Sequence, residues 1–155
     1  MCTHNRESLF GKVVKKEMVL NEFGKIVEFT WHDLPNHNSN IQLDEFIIMP
    51  NHIHGIIIIV GAGSKPAPID PVGAGSEPAP TMVPAPKPLP EIIRQLKTFS
   101  AKRINQIRNS PGISVWQRNY YERIIRDEEG FHRVKKYIRE NPRNWEKDEN
   151  NVVND

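Results

Sequence analysis

The stretch from residue 41 to Val60 restricts the possible folds of this chain more than any other. Leu43 to Met49 has strand character and Pro50-Asn51 punctuates it. Beyond His52-Ile53-His54-Gly55 come five consecutive β-branched residues, Ile56-Ile57-Ile58-Ile59-Val60. Such an unbroken apolar run reads as a buried strand. Two strands over about 41–49 and 53–60, flanking a Pro-Asn turn, read as an antiparallel hairpin. Side chains at i and i+2 of a strand share a face. His52 and His54 therefore project side by side, and Ile53 points the other way into apolar packing. Two imidazoles so placed make half of a divalent-metal site. The competing reading is a pair of solvent-facing histidines with no role.

The remaining segments predict an α+β fold. Lys12 to Leu20 reads as a short strand pair, and Asn21 as the N-cap of a helix carrying Ile26, Val27, Trp31 and Leu34. Pro35 to Asn40 reads as a polar loop. Pro90 to Arg108 reads as a helix with an apolar stripe from Ile92 to Ile107. Ile113–Gln117 and Tyr120–Ile125 read as strands. Asp127 can cap a last helix whose stripe is Phe131, Val134, Tyr137 and Ile138, ended or kinked near Asn141 by Pro142. The sum is one antiparallel sheet with helices packed on it. Residues 60–90 differ in kind, holding nine of the thirteen prolines and four of the nine glycines, and Val60–Pro68 recurs as Val72–Pro80. We read about 61–89 as a flexible or polyproline-like loop that interrupts a single domain, 1–155, without dividing it.

At 155 residues the chain supports one domain and a modest core. No apolar stretch approaches the roughly 20 residues of a membrane span, and no signal-peptide pattern opens it. The single Cys2 excludes an internal disulfide and a thiolate metal cluster, and a cytoplasmic location is expected. Net charge is +2 but unevenly spread: residues 1–60 carry five Lys/Arg against seven Asp/Glu, and residues 91–139 twelve against five. The basic half predicts a phosphate-binding surface. Its candidates are Lys97, Lys102 and Arg103 on the helix, and Arg118, Tyr120, Tyr121, Arg123 and Arg126, where aromatics alternate with arginines as base stacking plus phosphate contact requires. Solvated helices and an edge strand with snorkelling arginines would show the same pattern.

Tyr137 and Asn141 stand four apart, on one face if the helix persists to Asn141. A phenol can act as a nucleophile and an amide oxygen can bind a hard cation. Core packing for Tyr137 and a helix end for Asn141 are the plainer alternatives. Four segments together, C-T-H-N-R-E at Cys2–Glu7, M-P-N-H-I-H-G at Met49–Gly55, V-W-Q-R-N-Y-Y-E-R-I-I-R at Val115–Arg126 and Y-I-R-E-N-P at Tyr137–Pro142, resemble the REP-associated tyrosine transposases. These are single-tyrosine HUH transposases, which act on single-stranded DNA. The resemblance covers nearly the whole chain apart from the Pro-rich stretch and the last few residues. It implies a ferredoxin-like sheet of the HUH palm type and single-stranded or hairpin DNA as partner. It implies Mg²⁺ or Mn²⁺ bound by His52, His54 and Asn141, with Tyr137 as the nucleophile that becomes linked to a DNA 5′ end. Relatives of this kind include monomers and homodimers. They also carry an apolar strand running into the T-H-N-R segment, expected in mid-sheet; here Met1-Cys2-Thr3 stands where most of it would be, so the expectation is either a true start that lies upstream or a shortened copy of reduced stability and activity. Tyr120 and Tyr121 are rival nucleophiles. A non-catalytic nucleic-acid-binding protein, and a small zinc hydrolase drawing a third imidazole from His4, His32, His37 or His132, are the competing functions.

Overall fold

A computed structural model describes residues 1–60 and 87–151. The 12-residue repeat, and nearly all of the loop expected around it, lie outside the described residues. The element order is β1 (Gly11–Val14), β2 (Glu17–Leu20), α1 (Glu22–His37), β3 (Ile41–Met49), β4 (His52–Ile59), α2 (Leu89–Ile107) and α3 (Glu128–Asn144), with short 3-10 turns at His4–Arg6 and Trp145–Lys147. The fold is α+β. The single sheet expected from the sequence is instead two antiparallel pairs, β1–β2 and β3–β4.

The β3–β4 hairpin is the centre of the molecule. Its register pairs Met49 with His52, Ile47 with His54 and Phe46 with Gly55, and slips between Leu43 and Phe46. The two faces of β4 meet different partners. Ile53 joins the core built with Val27, Trp31 and Leu34 of α1, Ile92 and Leu96 of α2, and Val115 and Trp116. Trp31 stacks on Phe46 at 4.3 Å between centroids, and a Cβ at Gly55 would collide with the same indole. Gly55 is thus the gap beside Phe46 that lets Trp31 lie across the strand pair. α3 packs on β3 over the opposite face, the one that carries His52 and His54.

The N-terminal residues act as a short middle strand. Cys2 bridges His52 and Thr3 bridges Trp116, and the Ile53 N–H donates to the Met1 carbonyl and the Gln117 N–H to the Cys2 carbonyl. This is where the resemblance implied a strand in mid-sheet, of which two isolated bridges are present.

Three expectations are corrected. Ile113–Gln117 and Tyr120–Ile125 are not strands; only Trp116 makes an isolated bridge. β-branched and aromatic residues favour a pleated, half-buried surface, but beyond Gln117 no strand among the described residues pairs with this segment. The first helix continues through Pro35 to His37, and the last through Pro142 to Asn144. Each proline sits in a helix's final turn, where losing one N–H bond is a small penalty against continued packing. The caps are as read: the Asn21 and Asp127 side chains accept from the Gly24 and Gly130 N–H groups. Among the described residues no helix is long and apolar enough to cross a membrane.

Candidate metal and nucleophile site

Because α3 stays helical through Asn141, Tyr137 and Asn141 fall one turn apart on the face turned to the histidine pair. The rings of His52 and His54 are 4.8 Å apart, nearly perpendicular. The Tyr137 ring meets His54 edge-on at 5.2 Å. Trp145, just after α3, covers His52 at 5.9 Å. His52 and Asn141 are almost wholly buried. Tyr137 is 53% exposed, so it is not a core residue despite its place in the apolar stripe.

Burial holds both imidazoles neutral. It pushes His52 and His54 down to about 4; nearby positive charge adds to this, from the N-terminal ammonium for both and from Arg6 for His52, as does His52 for His54, while Asp148 pulls the other way. A neutral imidazole keeps the lone pair that a metal needs. Three buried atoms then stand without a hydrogen-bond partner on this face: Nε2 of His52, Nε2 of His54 and Oδ1 of Asn141. Asn141 lies beside His52 and slightly favours its charged form, but no well-formed hydrogen bond joins them. An unpaired buried polar atom costs about 1–3 kcal/mol, so three together are a costly arrangement unless something joins them. All three are the three residues read as metal donors from the sequence. Two imidazole nitrogens and an amide oxygen are a donor set able to hold a divalent cation.

Among the described residues no group of three or more His, Cys, Asp and Glu side chains comes together, so the third imidazole of a zinc hydrolase is not found there. His37 pairs with Asp33 and His132 with Glu128, and His32 leans on Phe46.

The predicted DNA-contacting residues are more scattered. Lys97 is partly occupied as a tether: its ammonium donates to the carbonyls of Gln117 (2.8 Å) and Arg118 (3.2 Å) and lies over the Tyr120 ring. Arg103 sits on the exposed Phe29 ring of α1, beside Lys102 in a shallow depression that Phe99 and Gln106 complete. Arg118, Tyr121, Arg123 and Arg126 are exposed along an irregular segment, and Tyr121 is 85% exposed. Tyr137 is the tyrosine whose ring meets the histidines, and Tyr120 instead meets Lys97.

Sequence reasoning missed Asn51, Trp145 and Asp148. Asn51 was read as turn punctuation, although its place directly before His52 was the available signal. Trp145 and Asp148 carry no local pattern and reach the site only because the chain turns back after α3.

An uncharacterized protein of Haemophilus influenzae is 37% identical to this chain over 152 residues, which cover 96% of this chain and 81% of the relative. No family profile matches the chain, and no solved structure matches it.

Proposed function

The chain belongs to the family of that Haemophilus influenzae protein, and from its site we propose that it is a metal-dependent transposase or endonuclease of the HUH tyrosine type. It would cleave and rejoin single-stranded DNA through a 5′-phosphotyrosine intermediate. The carrying observation is the convergence of three buried, unpartnered polar atoms, His52 Nε2, His54 Nε2 and Asn141 Oδ1, beside the half-exposed ring of Tyr137. A merely DNA-binding protein would have no need to leave those atoms unpaired.

The residues then take distinct roles. His52, His54 and Asn141 would hold Mg²⁺ or Mn²⁺, which when bound would supply Lewis-acid neutralisation of the phosphate. Tyr137 is half exposed, so a strand of DNA can reach it. The Tyr137 oxygen–phosphorus bond forms, the bond from phosphorus to the 3′ oxygen breaks, and the leaving strand departs as a 3′-hydroxyl. The link preserves a phosphodiester, so rejoining needs no nucleotide cofactor. Arg118, Tyr121, Arg123 and Arg126 offer phosphate contacts and a stacking surface on the exposed segment, with Lys102 and Arg103 as further cations on α2. The HUH palm, a cytoplasmic setting and a hairpin DNA substrate belong to the same proposal.

The test is incubation with hairpin-bearing single-stranded DNA and Mn²⁺, followed by denaturing electrophoresis. The wild type should form a covalent protein–DNA adduct. Tyr137→Phe should form none while still binding the DNA. Adduct from the Phe variant at the wild-type level would place the nucleophile elsewhere, with Tyr121 the first to examine.

A further inference from the structure

Asn51 is fully buried, and every polar atom of its side chain is committed. Its Nδ2 lies 3.0 Å from the Arg6 carbonyl oxygen and 2.6 Å from that of Asn150. Its Oδ1 lies 2.9 Å from Nδ1 of His52. Two carbonyl oxygens admit only the amide's NH₂ group between them, since a carbonyl oxygen cannot donate. Oδ1 must therefore face His52, and Oδ1 can only accept. The proton of the neutral His52 ring is then on Nδ1, and the lone pair is on Nε2, the atom left unpartnered in the site.

We infer that Asn51 is a positioning residue which locks His52 in the Nδ1–H tautomer, and that it does so only while at least one of the segments carrying Arg6 and Asn150 is docked beside it. This inference rests on the metal site proposed above. The physical logic is that of an outer partner fixing the orientation and tautomer of a metal-binding imidazole. The particular feature is that the partner is itself oriented by backbone from both ends of the described chain. Both segments are fastened to the same place by other bonds. The Thr3 hydroxyl donates to the Asn51 carbonyl, the Thr3 N–H donates to the same oxygen, and the Arg6 guanidinium donates to the Glu149 carbonyl. The T-H-N-R segment and the residues following α3 thus close over Asn51 together. If both lift away, the Asn51 amide loses what orients it, can rotate, and no longer dictates which nitrogen of His52 is bare.

Nitrogen-15 NMR of the imidazole rings in the metal-free full-length protein tests this, with Mn²⁺ affinity by titration calorimetry as a second reading. In the wild type the His52 ring should show Nδ1 protonated and Nε2 bare. In Asn51→Ala the ring should move toward the Nε2–H form that free histidine prefers, and Mn²⁺ affinity should fall about 10- to 100-fold. Asn51→Asp keeps an acceptor for Nδ1–H and, with its carboxyl protonated so as to donate to one of the two carbonyls, should retain the wild-type tautomer if it folds. A wild-type ring protonated on Nε2 overturns the inference, whether or not either variant folds. So does an Nδ1–H ring that persists in a folded Asn51→Ala. If the wild type binds no Mn²⁺ yet its ring is Nδ1–H, the metal reading falls and the tautomer lock stands.

Discussion

Asn141 shows how a single side chain can be kept at a cost. Its Oδ1 is buried without a partner, which weakens the metal-free protein. Asn141→Leu keeps the volume and removes the orphaned oxygen, so the metal-free variant should melt higher, by an amount equivalent to about 1 kcal/mol. It should also lose the rise in melting temperature that Mn²⁺ gives the wild type, by linkage of binding to folding. Thermal melts with and without Mn²⁺ decide both points, and a lower metal-free melt would mean that Oδ1 has a partner. The histidines add a pH dependence. In the fold both titrate at about 4, chiefly because they are buried, against about 6.5 in an unfolded chain. Between those values the unfolded state binds more protons, so stability rises with pH across the window and is lost as pH falls from about 6.5 toward 4. For His52 alone the slope is at most about 1.4 kcal/mol per pH unit. Melting temperature of the metal-free protein should drop below pH 6.5. The double variant His52→Ala, His54→Ala should lose that drop together with Mn²⁺-dependent cleavage.

Helix α3 carries half of the site, and an irregularity in β3 secures it. The register slip between Leu43 and Phe46 frees Asp44 and Glu45 from regular pairing and turns them to the helix. Lys135 meets Asp44 at 2.6 Å and Arg139 meets Glu45 at 2.7 Å. The Lys135 contact holds the Asp44 carboxyl below its usual range. Exposed pairs of this kind contribute about 0.2–1 kcal/mol each, too little to determine the fold. They do sit on the residues flanking Tyr137, so they set how the helix lies. Asp44→Lys should therefore reduce adduct formation more than its small effect on melting suggests, and Asp44→Lys combined with Lys135→Asp should restore it. The loss should shrink at high salt. An unchanged adduct rate in Asp44→Lys would show that the helix is held by its apolar contacts alone. Arg133, a turn before Tyr137 and a possible neighbour for its phenol, is paired with Glu129 instead.

Seen as one body, the molecule is three layers: α1 and α2, then the β3–β4 hairpin with the N-terminal residues alongside, then α3. The ends of the undescribed segment, Val60 and Lys87, meet at one residue. The Val60 N–H donates to the Asn40 carbonyl at 2.8 Å, and the Asn40 side-chain amide donates to the Lys87 carbonyl at 3.4 Å. A short bridge can therefore replace residues 62–86. Closure entropy depends on loop length only logarithmically, about 0.6 kcal/mol per doubling. Replacing that segment with about six Gly and Ser residues should leave the melting temperature and adduct formation nearly unchanged. A large fall in melting temperature would show that the segment packs on the layers.

Local chemistry settled much of this protein in advance. The hairpin of β3 and β4, the caps Asn21 and Asp127, and the shared face of His52 and His54 follow from turn residues, side-chain capping and the two-residue repeat of a strand, all of which act within a few positions. The resemblance carried by the four motif segments also picked out His52, His54 and Asn141, three residues that each keep an unpartnered buried atom in the fold. What local pattern could not decide was who neighbours whom. Residues 113–125 have strand composition but stay irregular, because a strand needs a partner edge and only tertiary packing supplies one. Pro35 and Pro142 did not end their helices, because packing outweighs one lost hydrogen bond in a final turn. Tyr137 shares its helical stripe with core residues, and only the placement of α3 left it half in solvent against His54. Asn51 reads locally as a turn residue. Its hold on His52 exists because Arg6 and Asn150, 144 positions apart, bring two carbonyl oxygens to one amide, a condition that no spacing along the chain encodes.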